Sequence, residues 1–98
     1  MLALGLDGEV QFDWDQANLG HLRRHKVSAE EFEQVVANAP LDLNYEVESG
    51  EERYSSLGAT DTGRILVAVW TMRGGTIRAV TAYPASKALR KLYLEFGR

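Results

Sequence analysis

The sequence predicts an α+β fold in which two helices pack on one face of an antiparallel sheet. Three local signals carry that expectation. Ser28 and Glu31 form a capping box, Val27 and Phe32 occupy the two positions of a hydrophobic staple, and Phe32, Val35, Val36 and Ala39 follow at helical spacing. From residue 41 the period switches to two, with Leu41, Leu43, Tyr45 and Val47 alternating with Asp42, Asn44 and Glu46. Gly74-Gly75 then supplies two positive-φ residues for a tight hairpin between apolar residues 65–70 and residues 77–83.

Taken in order, Val10, Phe12 and Trp14 alternate with Glu9, Gln11 and Asp13 as in a half-buried strand. Asp15 is placed to cap a helix whose stripe, Leu19 and Leu22, runs to about residue 25. The capping-box helix follows and ends before Pro40. Ser49-Gly50 turns the strand at 41–47 into a second, from Arg53 to about Thr60, and Asp61-Thr62-Gly63 turns the chain again. Residues 65–70 are apolar on both faces, as in a central strand. If Arg73 faces Thr76 across the hairpin, then Met72 faces Ile77, Thr71 faces Arg78 and Trp70 faces Ala79. Regular alternation then puts Arg78 beside Val69 and Val80, with Trp70, Thr81 and Tyr83 on the other face. Pro84 suits the first turn of a closing helix with Leu89, Leu92, Tyr93 and Phe96 as its buried face and Gly97 at its C-cap. The order is β-α-α-β-β-β-β-α, with four or five antiparallel strands.

Ninety-eight residues, 45% hydrophobic and 26% charged, suit one globular domain over residues 1–98. No apolar run approaches the roughly 18 residues of a membrane span. The opening Met1-Leu2-Ala3-Leu4-Gly5-Leu6 has no basic flank before Asp7, so no signal peptide and a cytoplasmic location are expected. Without cysteine there is no disulfide, thiol nucleophile or Cys-bound zinc. The net charge of −3 conceals an asymmetry: residues 1–63 carry four Lys/Arg against thirteen Asp/Glu, whereas residues 64–98 carry seven against Glu95 alone. The basic part could meet phosphate and the acidic part a basic partner; a plainly solvated surface is the alternative.

The densest polar cluster is His21-Leu22-Arg23-Arg24-His25-Lys26. His21 and His25, four apart, share a helix face, which is metal-ligand spacing, but no third ligand or His-Glu-x-x-His pattern accompanies them. No metal and no cofactor are therefore expected. Cations in a last helical turn also favour the helix dipole by themselves. The same geometry supplies the acid, base and charge stabiliser of phosphodiester chemistry. Asp13 and Asp15 look like a carboxylate pair, but Asp15 caps and Asp13 lies on a wet face. Glu30, Glu31 and Glu33 crowd a helix N-terminus, where negative charge is favourable. Neither group is assigned to catalysis, and no Ser/His/Asp arrangement, Walker loop or dinucleotide fingerprint occurs.

Several segments resemble one family. Phe12-Asp13-Trp14-Asp15, followed by Leu22-Arg23-Arg24-His25-Lys26-Val27-Ser28-Ala29-Glu30-Glu31, is similar to the F-x-W-D … N-x-x-K-H-G-V-S-F-E-E-A opening of BrnT-type toxins. Glu52-Arg53-Tyr54 with Gly58 resembles their E-x-R-F … G. Arg64-Ile65-Leu66-Val67-Ala68-Val69-Trp70-Thr71 and Ile77-Arg78-Ala79-Val80-Thr81-Ala82 resemble their R-x-L-x-V-x-Y-T … I-R-I-I-S-A-R. The resemblance spans about residues 10–93.

It implies a RelE-like fold and a metal-independent endoribonuclease in a type II toxin–antitoxin pair. The implied partners are an RNA substrate and a ribbon-helix-helix antitoxin encoded nearby, with DNA met only through the antitoxin, no membrane, and homo-oligomerisation left open. Where the family has Asn, Lys and Gly this chain has His21, Arg24 and Lys26; the Arg after Ser-Ala is Tyr83, followed by Pro84, and the Glu of the last helix is Leu89. The implied catalytic residues are His25, Arg53 and Arg78, with Tyr83 as a phenolic donor in place of the lost arginine. His21, Arg24, Lys26, Lys87 and Arg90 are the positions expected to meet RNA phosphate. The expectation is that His25, Arg53 and Arg78 converge on one concave surface bordered by Tyr83. A catalytically weakened homologue that acts as a partner-binding module in operon autoregulation is the alternative.

Overall fold

The structure, a computed structural model, describes residues 10–96. The opening apolar segment and Gly97, the expected C-cap, lie outside the described residues. Within them run β1 (Phe12–Asp13), α1 (Gln16–Arg24), α2 (Ala29–Ala37), β2 (Leu41–Glu48), β3 (Glu51–Ala59), β4 (Ile65–Arg73), β5 (Thr76–Pro84) and α3 (Lys87–Phe96). The fold is α+β, in the expected element order.

Both N-terminal helices start where their caps dictate. The Ser28 hydroxyl accepts from the Glu31 N–H while the Glu31 carboxylate accepts from the Ser28 N–H. Asp15 and Asn18 make the same reciprocal pair at α1, so the Asp15 cap is a full box. α2 stops at Ala37, two residues short of the last position of its apolar stripe, with Asn38 as cap.

The sheet order is β1-β5-β4-β3-β2. The all-antiparallel expectation is corrected here: β1 runs parallel to β5, Phe12 beside Ile77 and Asp13 beside Arg78, so the sheet is mixed. Two residues alternate too briefly for sequence to declare their partner, and a parallel neighbour cannot come from a tight turn.

Helices cover both faces. α1 and α2 bury Leu22, Val27, Phe32, Val35 and Val36 against Leu66, Ala68, Trp70, Ile77, Ala79 and Ala82, with Phe12 and Trp14 packed alongside. On the other face α3 sets Leu89, Leu92 and Tyr93 over Leu57, Val67 and Val69. Phe96, expected in that buried face, is 67% exposed beyond the sheet. At Gly58 α2 packs closely on β3: a Cβ there would stand 3.1 Å from the Val35 carbonyl oxygen and 3.1 Å from Pro40 Cβ.

Two bulges change which face side chains occupy. The four hairpin pairs from Arg73–Thr76 to Trp70–Ala79 occur as expected, but the register then shifts so that Val69 faces Thr81 and Val67 faces Tyr83. Val80 is the extra residue, and it reverses the alternation beyond it. Thr81 and Tyr83 therefore share the face of Arg78, contrary to the regular count. In β2 a second shift falls between Asp42 and Asn44. Leu41 thus pairs with Leu57 on the α3 side, whereas Tyr45 pairs with Tyr54 on the α2 side. Tyr45 and Val47 are 51% and 59% exposed.

Candidate active site

The end of α1 fixes His25. The Lys26 N–H donates to the Arg23 carbonyl and the Val27 N–H to the Leu22 carbonyl, the two bonds of a Schellman motif, and Leu22 and Val27 are both buried in the core. Lys26 takes the left-handed position with φ 57°, which is where the family resemblance places a glycine, the residue with least resistance to that conformation. His25 is the C-cap and points outward. Arg64 holds the turn from behind: its guanidinium donates to the Lys26 carbonyl and to both Glu31 carboxylate oxygens, each at 2.9 Å.

From this position the His25 ring meets Tyr83 edge-on, with centroids 6.0 Å apart. Both side chains are exposed. His21 stands one turn back on the same helix face and is also exposed, as are Arg24 and Lys26. Lys87 and Arg90 are exposed in the first turn of α3, which begins four residues after Tyr83.

Arg53 and Arg78 sit elsewhere. Arg78 pairs with Thr71, and Arg53 precedes the Tyr54–Trp70 pair by one residue, so Arg53, Thr71 and Arg78 form a row across β3, β4 and β5. Two strand spacings separate the arginine Cα atoms by roughly 10 Å. Five residues of β5 place Arg78 about 16 Å from Tyr83. α1 spans the same interval, with its N-cap Asp15 at Arg78 and its C-cap His25 at Tyr83. The structure brings His25 and Tyr83 together, and Arg53 and Arg78 into one row, but does not gather all four at one point.

Each arginine of the row is occupied. The Arg78 guanidinium donates to Asp15 at 2.5 Å and to Asp13 at 3.4 Å, and Arg53 donates to Glu48 at 2.8 Å and Glu51 at 3.4 Å. Sequence reasoning gave Asp13 and Asp15 no partner, because the strand that supplies it lies more than sixty residues away. Arg64 was missed as well; its place in the resembling R-x-L-x-V segment was the available signal.

The Asp15 carboxyl is held below the usual carboxylate range by the Asn18 N–H first and then by Arg78. Burial pushes Glu31 up, but the Ser28 N–H and Arg64 outweigh it and its carboxyl also ends low. A lowered folded pKa means that each carboxylate stabilises the fold above its unfolded value, about 4, and that the contribution disappears as pH falls through the folded value. The urea midpoint is therefore expected to fall between pH 5 and pH 3, as a titration followed by circular dichroism would show. Asp15→Asn should make that fall shallower; an unchanged slope would deny Asp15 its part.

Among the described residues no three His, Asp or Glu side chains are grouped to hold a metal ion, and no helix is long and apolar enough to cross a membrane. No individual curated protein matches the chain. Residues 14–88 match the family model described as ribonuclease toxin, BrnT, of type II toxin–antitoxin system. That stretch contains α1, α2 and the whole of β2 to β5, including His25, Arg53, Arg78 and Tyr83. The chain therefore belongs to the BrnT family of ribonuclease toxins of type II toxin–antitoxin systems.

Proposed function

We propose that the protein is a metal-independent endoribonuclease, centred on His25 and Tyr83 and neutralised by a cognate antitoxin. The family match supports the activity, and the ring contact between His25 and Tyr83 is the observation that carries the site. In this reading the RNA supplies its own nucleophile. As the 2′-oxygen bonds to phosphorus, His25 takes the 2′-hydroxyl proton; as the P–O5′ bond breaks, the leaving oxygen takes a proton from His21 on the same helix face. The Tyr83 hydroxyl donates to a non-bridging phosphate oxygen, while Arg24 and Lys26 offset the developing charge. Lys87 and Arg90 hold flanking phosphates. Arg53 and Arg78 serve as further cations, which the RNA backbone must draw away from Glu48, Glu51, Asp13 and Asp15.

The antitoxin, of ribbon-helix-helix type in this reading, silences the enzyme and carries the pair to operator DNA in the cytoplasm. A second reading, of a slow homologue kept for partner binding, is favoured by the ion pairs that occupy Arg53 and Arg78. Incubation of the purified chain with RNA in excess EDTA separates the two. Full cleavage, with products ending in a 2′,3′-cyclic phosphate and a rate that falls steeply with salt, is the expected result. Cleavage abolished by EDTA and restored by Mg²⁺ would overturn metal independence. Antitoxin binding without cleavage would leave only the second reading.

A further inference from the structure

Far from His25, the α2 side of the sheet carries an open groove of about 870 Å³ whose lining includes Val36, Pro40, Tyr45, Tyr54, Trp70 and Met72. Its floor is an aromatic run across three strands. Tyr45 lies 5.2 Å from Tyr54, and Tyr54 stacks on Trp70 at 4.5 Å and 21°. The run is held in place: Trp70 Nε1 donates to the Ser56 hydroxyl at 3.0 Å, and both tyrosine hydroxyls donate to Glu52, Tyr45 at 2.9 Å and Tyr54 at 3.2 Å. Tyr45, Val47 and Met72 nevertheless remain exposed.

The charge around the groove has one sign. Asp42 lines it and Glu52 sits at the tyrosine hydroxyls, whereas no Lys or Arg is among its described lining residues. Of the charged residues in 41–53, Asp42 and Glu52 lie on the groove side, whereas Arg53 belongs to the opposite face with Glu46, Glu48 and Glu51. Among the described residues β2 is also the last strand of the sheet, with one edge unpaired. Aromatic faces beside carboxylates attract a cation through both the ring quadrupole and direct charge, and an arginine or lysine stem covers the apolar part. A nucleobase could stack on such rings, but its phosphates would meet Asp42 and Glu52 with no cation among the described lining residues.

We infer that this groove docks a segment of a partner protein that presents an arginine or lysine between apolar side chains, laid over Tyr45, Tyr54 and Trp70 with its charge at Glu52. The partner is the antitoxin, so the inference rests on the toxin–antitoxin reading above. It assigns the docking surface to a part of the sheet distinct from the cleavage residues.

The test titrates the protein product of the small reading frame next to this gene against the full chain by calorimetry. Tyr45→Ala should weaken binding by about 30-fold, as removal of an exposed aromatic anchor does. Glu52→Gln removes the charge and keeps one acceptor oxygen, so one of the two tyrosine hydroxyls can still donate to it. It should weaken binding at least tenfold in 50 mM salt and by much less at 500 mM. Both variants should retain the melting temperature of the unaltered chain and its rate of RNA cleavage. If the unaltered chain binds and both variants bind equally well, the groove is not the docking site, while the antitoxin reading stands. If the variants lose RNA cleavage but keep the antitoxin, the rings serve nucleic acid and the inference is overturned. If the unaltered chain does not bind, the antitoxin reading falls and this inference with it.

Discussion

His25→Ala is expected to slow single-turnover RNA cleavage by about 10²–10⁴-fold, the usual contribution of a positioned acid or base. The ring is exposed at the cap of α1 and belongs to no buried cluster. The melting temperature should therefore stay within a degree or two. Tyr83→Phe keeps the ring beside His25 and removes only the hydroxyl, so a loss of about 10²-fold would assign the effect to the hydrogen bond rather than to packing. The double variant should fall no further than His25→Ala by itself if the two act on one phosphate, because groups that act as a unit are not additive. Two independent losses that multiply would place Tyr83 outside the chemistry. A His25→Ala chain that cuts at the original rate would remove His25 from it altogether.

The largest effect on stability is expected at Phe32. The side chain is fully buried and meets Phe12 and Trp14 edge-on, with centroids at 6.4 Å and 5.6 Å. Phe32→Ala removes the ring, leaves a cavity beneath α2 and forfeits both aromatic contacts, which together cost about 3–5 kcal/mol. A chain of this length has roughly 5–15 kcal/mol in total. Urea unfolding should show a much lower midpoint with an unchanged slope. A shift below about 1 kcal/mol would mean that the neighbouring helix collapses into the space and that the ring is not the keystone of that face.

Local chemistry made most elements readable in the sequence. Ser28 with Glu31 marks a helix start because two side chains satisfy two backbone N–H groups at a fixed spacing. Gly74-Gly75 fixes four pairs of a hairpin because few other residues accept both positive φ values, 59° and 83°. The bulges at Leu43 and Val80 escaped, since each is an ordinary apolar residue inside an apolar alternation and one extra residue leaves the pattern plausible on either face. That single miscount had put Tyr83 on the wrong face. The site was legible as residue types and much less so as distances. Nothing at Arg78 announces that Asp13 and Asp15 will hold it, and nothing at His25 announces that a helix as long as half of β5 will carry it away from Arg78.

The pairing of β1 with β5 sets an order of events during synthesis. The strand that Phe12 and Asp13 need is made 65 residues after them, which is about 3–13 s at about 5–20 residues per second. Until β5 has left the ribosome, α1 has no sheet to lie on and Asp15 has no arginine to hold. His25 and Tyr83 likewise stand at the two ends of an unfinished chain. The contact between those two rings becomes possible only when β5 has emerged, so it is a late event in the making of the chain.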